Sequence, residues 1–252
     1  MPATNELPFS LSLTEGYIDQ LLAAADWQES GSREAPHLPL MAAENAGHSA
    51  GYTRVWQALR HPSLDRMVHT RLIAGPVETQ LLFVFGKPES TLPHLHLQFV
   101  QYPPTGFVYN VDFLPRVDPA LEPEWFEQVF GPLRRPFRKA TSDKQNSCAQ
   151  APQNPALAAL MSPWGIASGQ ADQAEVQRVK PCIDAYLDHY CELINTDDWV
   201  PADKRQTAER DARHLQLFFA DEMDPRAWNG VYRIVGEDAG RQIKSLFSTA
   251  LN

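Results

Sequence analysis

Between residues 67 and 114 apolar and polar positions alternate with the period of two that marks half-buried strands. The stretches "MVHTRLIAG" (67–75) and "ETQLLFVFG" (78–86) read as consecutive strands joined near Gly75-Pro76. The stretch "LPHLHLQFVQYPPTGFVYNVDFLPRVDP" (92–119) reads as two more, with Pro103, Pro104, Thr105 and Gly106 as their turn. Four neighbouring strands with short connections predict an antiparallel meander.

Elsewhere the period is helical. "LTEGYIDQLLAAADW" (13–27) predicts a first helix, with Thr14 as N-cap and Ile18, Leu21, Leu22 and Ala25 on one face. Residues 28–37 are polar and loop-like. After the strands come a short helix over 119–131, a loop over 141–155, and a mostly helical stretch over 171–195 that Pro181 should kink or split. Residues 203–223 predict a strong helix with Asp203 at its start, and 241–251 a last one. Strands first and helices afterwards predict α+β layering, with helices packed on an antiparallel sheet. No composition break divides the chain, so residues 1–252 are expected to form one domain.

The last two strands carry chemistry on one side. Leu95, Leu97 and Phe99 share a face of the first; His94, His96, Gln98 and Val100 share the other. In the second, Phe107, Tyr109, Val111 and Phe113 face one way, and Val108, Asn110, Asp112 and Leu114 the other. One polar and one apolar face is the pattern of a half-solvated antiparallel sheet. The alternative is that helices cover both faces; a buried carboxylate then needs partners or a raised pKa, as at functional sites.

Composition narrows the function. A net charge of −9 argues against a broad nucleic-acid surface. The exception is "GPLRRPFRKATSDK", where Arg134, Arg135, Arg138, Lys139 and Lys144 face Asp143 alone. That segment is either a solvated loop or a docking patch for an acidic partner. No apolar run is long enough to span a bilayer. The start, "MPATNELPFSLSLTEGYIDQ", carries Glu6 and Glu15 and no signal-like apolar region, so a cytoplasmic location is expected. Cys148, Cys182 and Cys191 form no C-x-x-C and too few thiolates for a four-cysteine iron–sulfur cluster, so any redox electrons come from outside. His94 and His96 form an H-x-H pair, but Val100 and Gln101 follow where a cupin-like site wants a glutamate, so no metal is expected. "GIASG" lacks the G-x-S-x-G elbow, and no glycine-rich phosphate loop is present.

On the helix 203–223, Asp211, His214, Leu215 and Phe218 fall on one stripe, with Asp211 either at its solvent edge or within it. At this point the residues resemble a family. "LHLQFVQYPPTGFVYNVDFLPRVDPALEPEWFEQVF" and "ERDARHLQLFFADEMD" resemble the ferredoxin-dependent bilin reductase superfamily, and within it the red chlorophyll catabolite reductase branch most of all. The former matches a strand, short turn and strand ending in aspartate, then Leu-Pro, a basic residue and a helix. The latter is similar to the C-terminal helix with its Arg-Asp pair and following acidic cluster. The N-terminal sixty residues match weakly.

The resemblance implies an α/β fold of the α/β/α sandwich kind, with a central antiparallel sheet flanked by helices. A linear tetrapyrrole, biliverdin or a chlorophyll-derived catabolite, would lie between the sheet and the C-terminal helices. It implies catalytic roles for Asp112 and Asp211; Gln98 falls where relatives carry His, Asn or Glu. Because an amide is no acid at neutral pH, proton delivery would pass to Asp112, Asp211 or His96. Asn110 and Gln98 would line the substrate. Arg116, Arg210 and Arg213 are candidates for its propionates, and Asp221 or Glu222 for the acidic cluster's contribution. No bound cofactor is implied: electrons come from reduced ferredoxin, which would dock on Arg134, Arg135, Arg138 and Lys139. The branch implies a homodimer, while the wider superfamily is often monomeric. The alternative is a carrier that binds a tetrapyrrole without reducing it.

Overall fold

The computed structural model describes residues 7–118, 120–148, 155–196, 199, 201 and 203–249. Its centre is an antiparallel 8-stranded sheet. The strands are β1 (Gln28–Glu29), β2 (Leu38–Ala42), β3 (Asn45–Gln57), β4 (Leu64–Ala74), β5 (Val77–Gly86), β6 (His94–Tyr102), β7 (Gly106–Leu114) and β8 (Ile166–Asp172). They run in the order β1-β3-β4-β5-β6-β7-β8, with β2 also paired to β3. The predicted meander is β4 to β7, and its turns fall where glycine and proline put them.

Helices cover both faces. Those among the described residues are α1 (Phe9–Ala24), α2 (Pro123–Phe130), α3 (Arg134–Ser142), α4 (Pro155–Ala158), α5 (Gln173–Ile194), α6 (Lys204–Phe218), α7 (Pro225–Val235) and α8 (Glu237–Ser248). One core joins Leu95, Leu97, Phe99, Val111 and Phe113 to Leu21 of α1, Phe130 of α2 and Tyr186 of α5. The other joins Val68, Phe83, Phe85 and Leu114 to Phe218 of α6, Trp228 of α7 and Phe247 of α8. This is an α/β/α sandwich. The polar face of the hairpin is interior rather than half-solvated, because α6 and α8 need an apolar surface and β4 and β5 supply it.

Several elements differ from expectation. The first helix begins at Phe9, so Thr14 lies inside it, and its Oγ1 donates to the Ser10 carbonyl at 2.8 Å instead of capping. Pro181 neither splits nor ends α5. Its ring lies on the exposed side, as does Gln177, whose carbonyl loses its helical N–H partner to the proline. The basic segment is helical over Arg134–Ser142, not a loop. Helix α6 stops at Phe218, and α7 follows; its Asp224 cap accepts from the Ala227 N–H at 3.0 Å ahead of Pro225.

Candidate functional site

The ladder between β6 and β7 sets His96 opposite Asp112 and Gln98 opposite Asn110. Four of the polar residues singled out in the sequence therefore meet as two adjacent cross-strand pairs on one face. Asp112 is 0% exposed and His96 5%; Gln98 and Asn110 are half-buried toward the open end.

Burial pushes the Asp112 carboxyl up to about 6, against hydrogen bonds that pull it down. Those from Ser162 engage both oxygens. The Ser162 backbone N–H donates to Asp112 Oδ2 at 2.9 Å, and the Ser162 hydroxyl donates to Oδ1. Gly165 lies beside the same carboxyl: a Cβ there would stand 3.4 Å from its Cγ, in ordinary contact. His96 stacks on Phe83 with ring centroids 4.4 Å apart and meets the Phe218 ring edge-on at 5.8 Å. Burial lowers its pKa to about 3, so the imidazole is neutral. His96 Nδ1 and Asn110 Oδ1 are both buried and have no hydrogen-bond partner among the described residues. Two polar atoms without partners thus flank a buried carboxyl, and the hydrogen-bonding capacity of this face is not met by the described residues.

Asp211 has a different environment. It lies within the apolar stripe of α6, 4% exposed, not at its solvent edge. Its Oδ1 accepts from Arg116 Nε at 2.9 Å and from His94 Nε2 at 2.8 Å. His94 Nδ1 accepts the Gly86 N–H at 3.1 Å, so Nε2 carries the ring proton. Burial holds His94 down to about 4 and therefore neutral. Burial alone would raise Asp211, but the attraction and hydrogen bonds of His94 and Arg116 together outweigh it and depress the carboxyl to about 2. The group is one ion pair, Arg116 with Asp211, plus a neutral histidine.

This geometry corrects two expectations. An aspartate held ionised far below neutrality has no proton to deliver, so Asp211 is unsuited as an acid. Arg116 is 0% exposed, and its remaining donors go to the carbonyls of Lys87 at 2.7 Å and Pro88 at 3.1 Å. It is spent inside the fold and does not reach outward for a propionate. The fit is close: a Cβ on Gly86 would stand 2.6 Å from Arg116 Nη1.

The other candidates are dispersed. Arg210 donates to the Pro115 carbonyl at 2.9 Å and, with exposed Arg213, lines a surface cleft of about 460 Å³. His214 and Leu160 share that cleft, and His214 Nε2 donates to the Leu160 carbonyl at 2.7 Å. Glu222 is exposed in the turn after α6, outside the buried group; Asp221 there pairs with Lys244 and accepts from Tyr232 at 2.9 Å. On the opposite layer Arg134, Arg135, Arg138 and Lys139 line a cleft of about 560 Å³. Arg134 is paired with Glu127; the other three make no salt bridge with a described residue. Among the described residues no cluster of three or more His, Cys, Asp or Glu is placed to hold a metal. Nor is any described helix long and apolar enough to cross a membrane.

Two members of these groups carry no clear signal in the sequence. His94 pairs by spacing with His96, yet its partner is Asp211, 117 residues away. Ser162 lies in an irregular segment before Pro163 with no periodicity to single it out.

No protein-family model matches the chain. The red chlorophyll catabolite reductase 1, chloroplastic, of Oryza sativa subsp. japonica is 27% identical over 139 residues, 51% of this chain and 42% of that protein. The red chlorophyll catabolite reductase of Hordeum vulgare is 33% identical over 67 residues, 27% of this chain and 33% of that protein. The matched stretches thus span less than half the length of these curated relatives. The crystal structure of tomato phytochromobilin synthase in complex with biliverdin superposes with a TM-score of 0.73 at 14% identity, covering 94% of this chain and 81% of that one. The fold is that of phytochromobilin synthase, and over about half of its length the sequence is similar to red chlorophyll catabolite reductases.

Proposed function

We propose that this protein reduces a linear tetrapyrrole, a bilin or a chlorophyll-derived catabolite, by alternating electron and proton transfer. The observation that carries this reading is the Asp112 group: a fully buried carboxyl pushed up to about 6, flanked by the orphaned His96 Nδ1 and Asn110 Oδ1. A carboxyl poised near the working pH is partly protonated and suits general-acid work. Each electron added to a conjugated tetrapyrrole raises its basicity, and Asp112 supplies the proton that must follow. Pyrrole N–H groups and ring carbonyls have the donors and acceptors that the orphaned atoms lack. The structurally similar phytochromobilin synthase was crystallised with biliverdin, which favours the same ligand class.

The remaining assignments belong to the same proposal. Arg210 and Arg213, at the cleft beside His214, receive the acidic side chains of the substrate. Asp211 and Arg116 hold α6 against the sheet rather than touching the reacting atoms. Reduced ferredoxin, an acidic protein, supplies electrons from outside and meets the cations of α3. The protein works in the cytoplasm and carries no cofactor of its own.

The test is spectroscopic. Biliverdin added to the purified protein shifts its absorption, and reduced ferredoxin added anaerobically then bleaches or shifts it with time. Asp112→Asn retains the first change and slows the second by at least about 100-fold. Absence of any spectral shift with biliverdin and with a chlorophyll-derived tetrapyrrole would sink the reading. The amide at position 98 favours a second one, a carrier; its signature is a binding shift with no change on adding reductant.

A further inference from the structure

We propose that Ser162 is the positioning residue of Asp112: it holds the carboxyl in place and passes to it, from solvent, the proton that Asp112 gives up. This rests on the reading of Asp112 as a proton donor. The geometry is specific. Asp112 has no exposed surface, and both of its oxygens accept from Ser162, one from the N–H at 2.9 Å and one from the hydroxyl. Ser162 itself is half-buried, so the hydroxyl is the link between a sealed carboxyl and the outside. The Trp164 N–H donates to Ser162 Oγ at 3.1 Å, which fixes the hydroxyl oxygen and leaves it one lone pair.

That remaining lone pair gives the hydroxyl two settings. When Asp112 is ionised, Ser162 O–H donates to Oδ1. When Asp112 is protonated, its own O–H donates to Ser162 Oγ, and the serine proton turns away. Recharging follows without net change in the serine: Oγ accepts a proton from water as its O–H bond to the original proton breaks and that proton forms the new O–H on Asp112 Oδ1. Water is left as hydroxide, neutralised by buffer. Other titratable groups near Asp112 are poorly placed for this. His96 opposite, on β6, is held neutral, and Tyr186 of α5, whose hydroxyl donates to the Trp164 carbonyl at 2.6 Å, is held protonated by burial and by the Asp112 charge. Among the described residues no cation pairs with Asp112.

The segment that presents Ser162 is tethered on both sides. Leu157, Leu160 and Met161 pack on the core beneath α6, and Trp164 packs on Phe126 and Phe137. The position of Ser162 is therefore set by these flanking contacts together with the Trp164 N–H bond within its own loop.

The experiment uses the full chain with Ser162→Ala and Ser162→Thr. The carboxyl of Asp112 is titrated by infrared difference against Asp112→Asn, without any ligand. Loss of the hydroxyl donor raises the midpoint by about one pH unit in S162A, and S162T returns it. With biliverdin and reduced ferredoxin, S162A lowers steady-state turnover by about tenfold or more and increases the solvent isotope effect, while binding affinity stays unchanged. An unmoved midpoint in a folded S162A overturns the proposal, and so does a moved midpoint with unchanged turnover. S162T, which keeps the hydroxyl, carries the test if S162A does not fold: a midpoint and turnover equal to wild type are expected, and loss of both would refute the assignment. If no bilin is turned over by the wild type, the functional reading fails on that result, whereas the ligand-free titration still judges the link between Ser162 and Asp112.

Discussion

At the scale of single residues, two aspartates of the same charge in the sequence have been driven apart by their surroundings. Asp112 faces a serine and neutral rings, and burial dominates; Asp211 faces a guanidinium and an imidazole N–H, and attraction dominates. The difference sets the proposed proton donor, Asp112, apart from Asp211, whose charge is tied to Arg116 and His94 inside the fold. Arg116→Ala leaves Asp211 ionised, buried and short of its counter-charge. Denaturant unfolding should then show a loss of about 3–5 kcal/mol. Arg116→Lys should recover little of it, since one ammonium cannot replace donors aimed at Asp211, Lys87 and Pro88 together. If R116A unfolds at the wild-type denaturant concentration, the ion pair is not a structural tie.

At the scale of elements, α6 shows how a helix is held by one stripe. Thr207, Asp211, His214, Leu215 and Phe218 are its buried residues, and helical spacing puts the last four of these on one face. Helix α3 is the opposite case, with Ala140 its one buried residue and a row of cations outside. Phe137 and Ala140 pack inward against the core, while the cations point outward and are free to serve encounter. Reversing Arg135 and Arg138 to Glu should raise the KM for ferredoxin by about tenfold or more and leave bilin affinity unchanged, and turnover with wild type should fall with salt. Turnover indifferent to ionic strength would remove α3 as the docking face. Elements that periodicity does not pick out have weak signals of their own. In β3 the glycines at 47 and 51 interrupt the alternation, and β8 is "IASGQAD", short and small. By contrast α7 has a legible start in Asp224-Pro225.

At the scale of the whole molecule, the two aspartates predict opposite pH trends in stability. The Asp211 carboxyl falls from an ordinary 3.8 to about 2, so it stabilises the fold fully above pH 4 and loses that as pH drops through 2, by about 2 kcal/mol. The Asp112 carboxyl rises from 3.8 to about 6, so it costs nothing below pH 4 and costs stability as pH climbs through 6, by up to about 3 kcal/mol. Asp112→Asn should therefore melt higher than wild type at pH 8 and equally at pH 4. Asparagine suits the site: its carbonyl accepts the Ser162 N–H while its amide donates to Oγ. Thermal melts across pH 3–8 check this, and a variant that is less stable at pH 8 would contradict the burial of Asp112 as a charge.

The sequence by itself determined the central meander, the two faces of its last hairpin, the stripe of α6 and the resemblance to a family. All of these are local: alternation with period two or three and a half to four, turn residues, and motifs within one stretch. Only the tertiary structure decided which polar face is dry, because that depends on where α6, α7 and α8 pack against β3, β4 and β5. It alone joined His94 to Asp211 across 117 residues, consumed Arg116 inside the fold, and brought Ser162 onto Asp112 across 50. The reason is physical: the pKa of a carboxyl is set by the dielectric and the charges around it, and these come from segments remote in the chain.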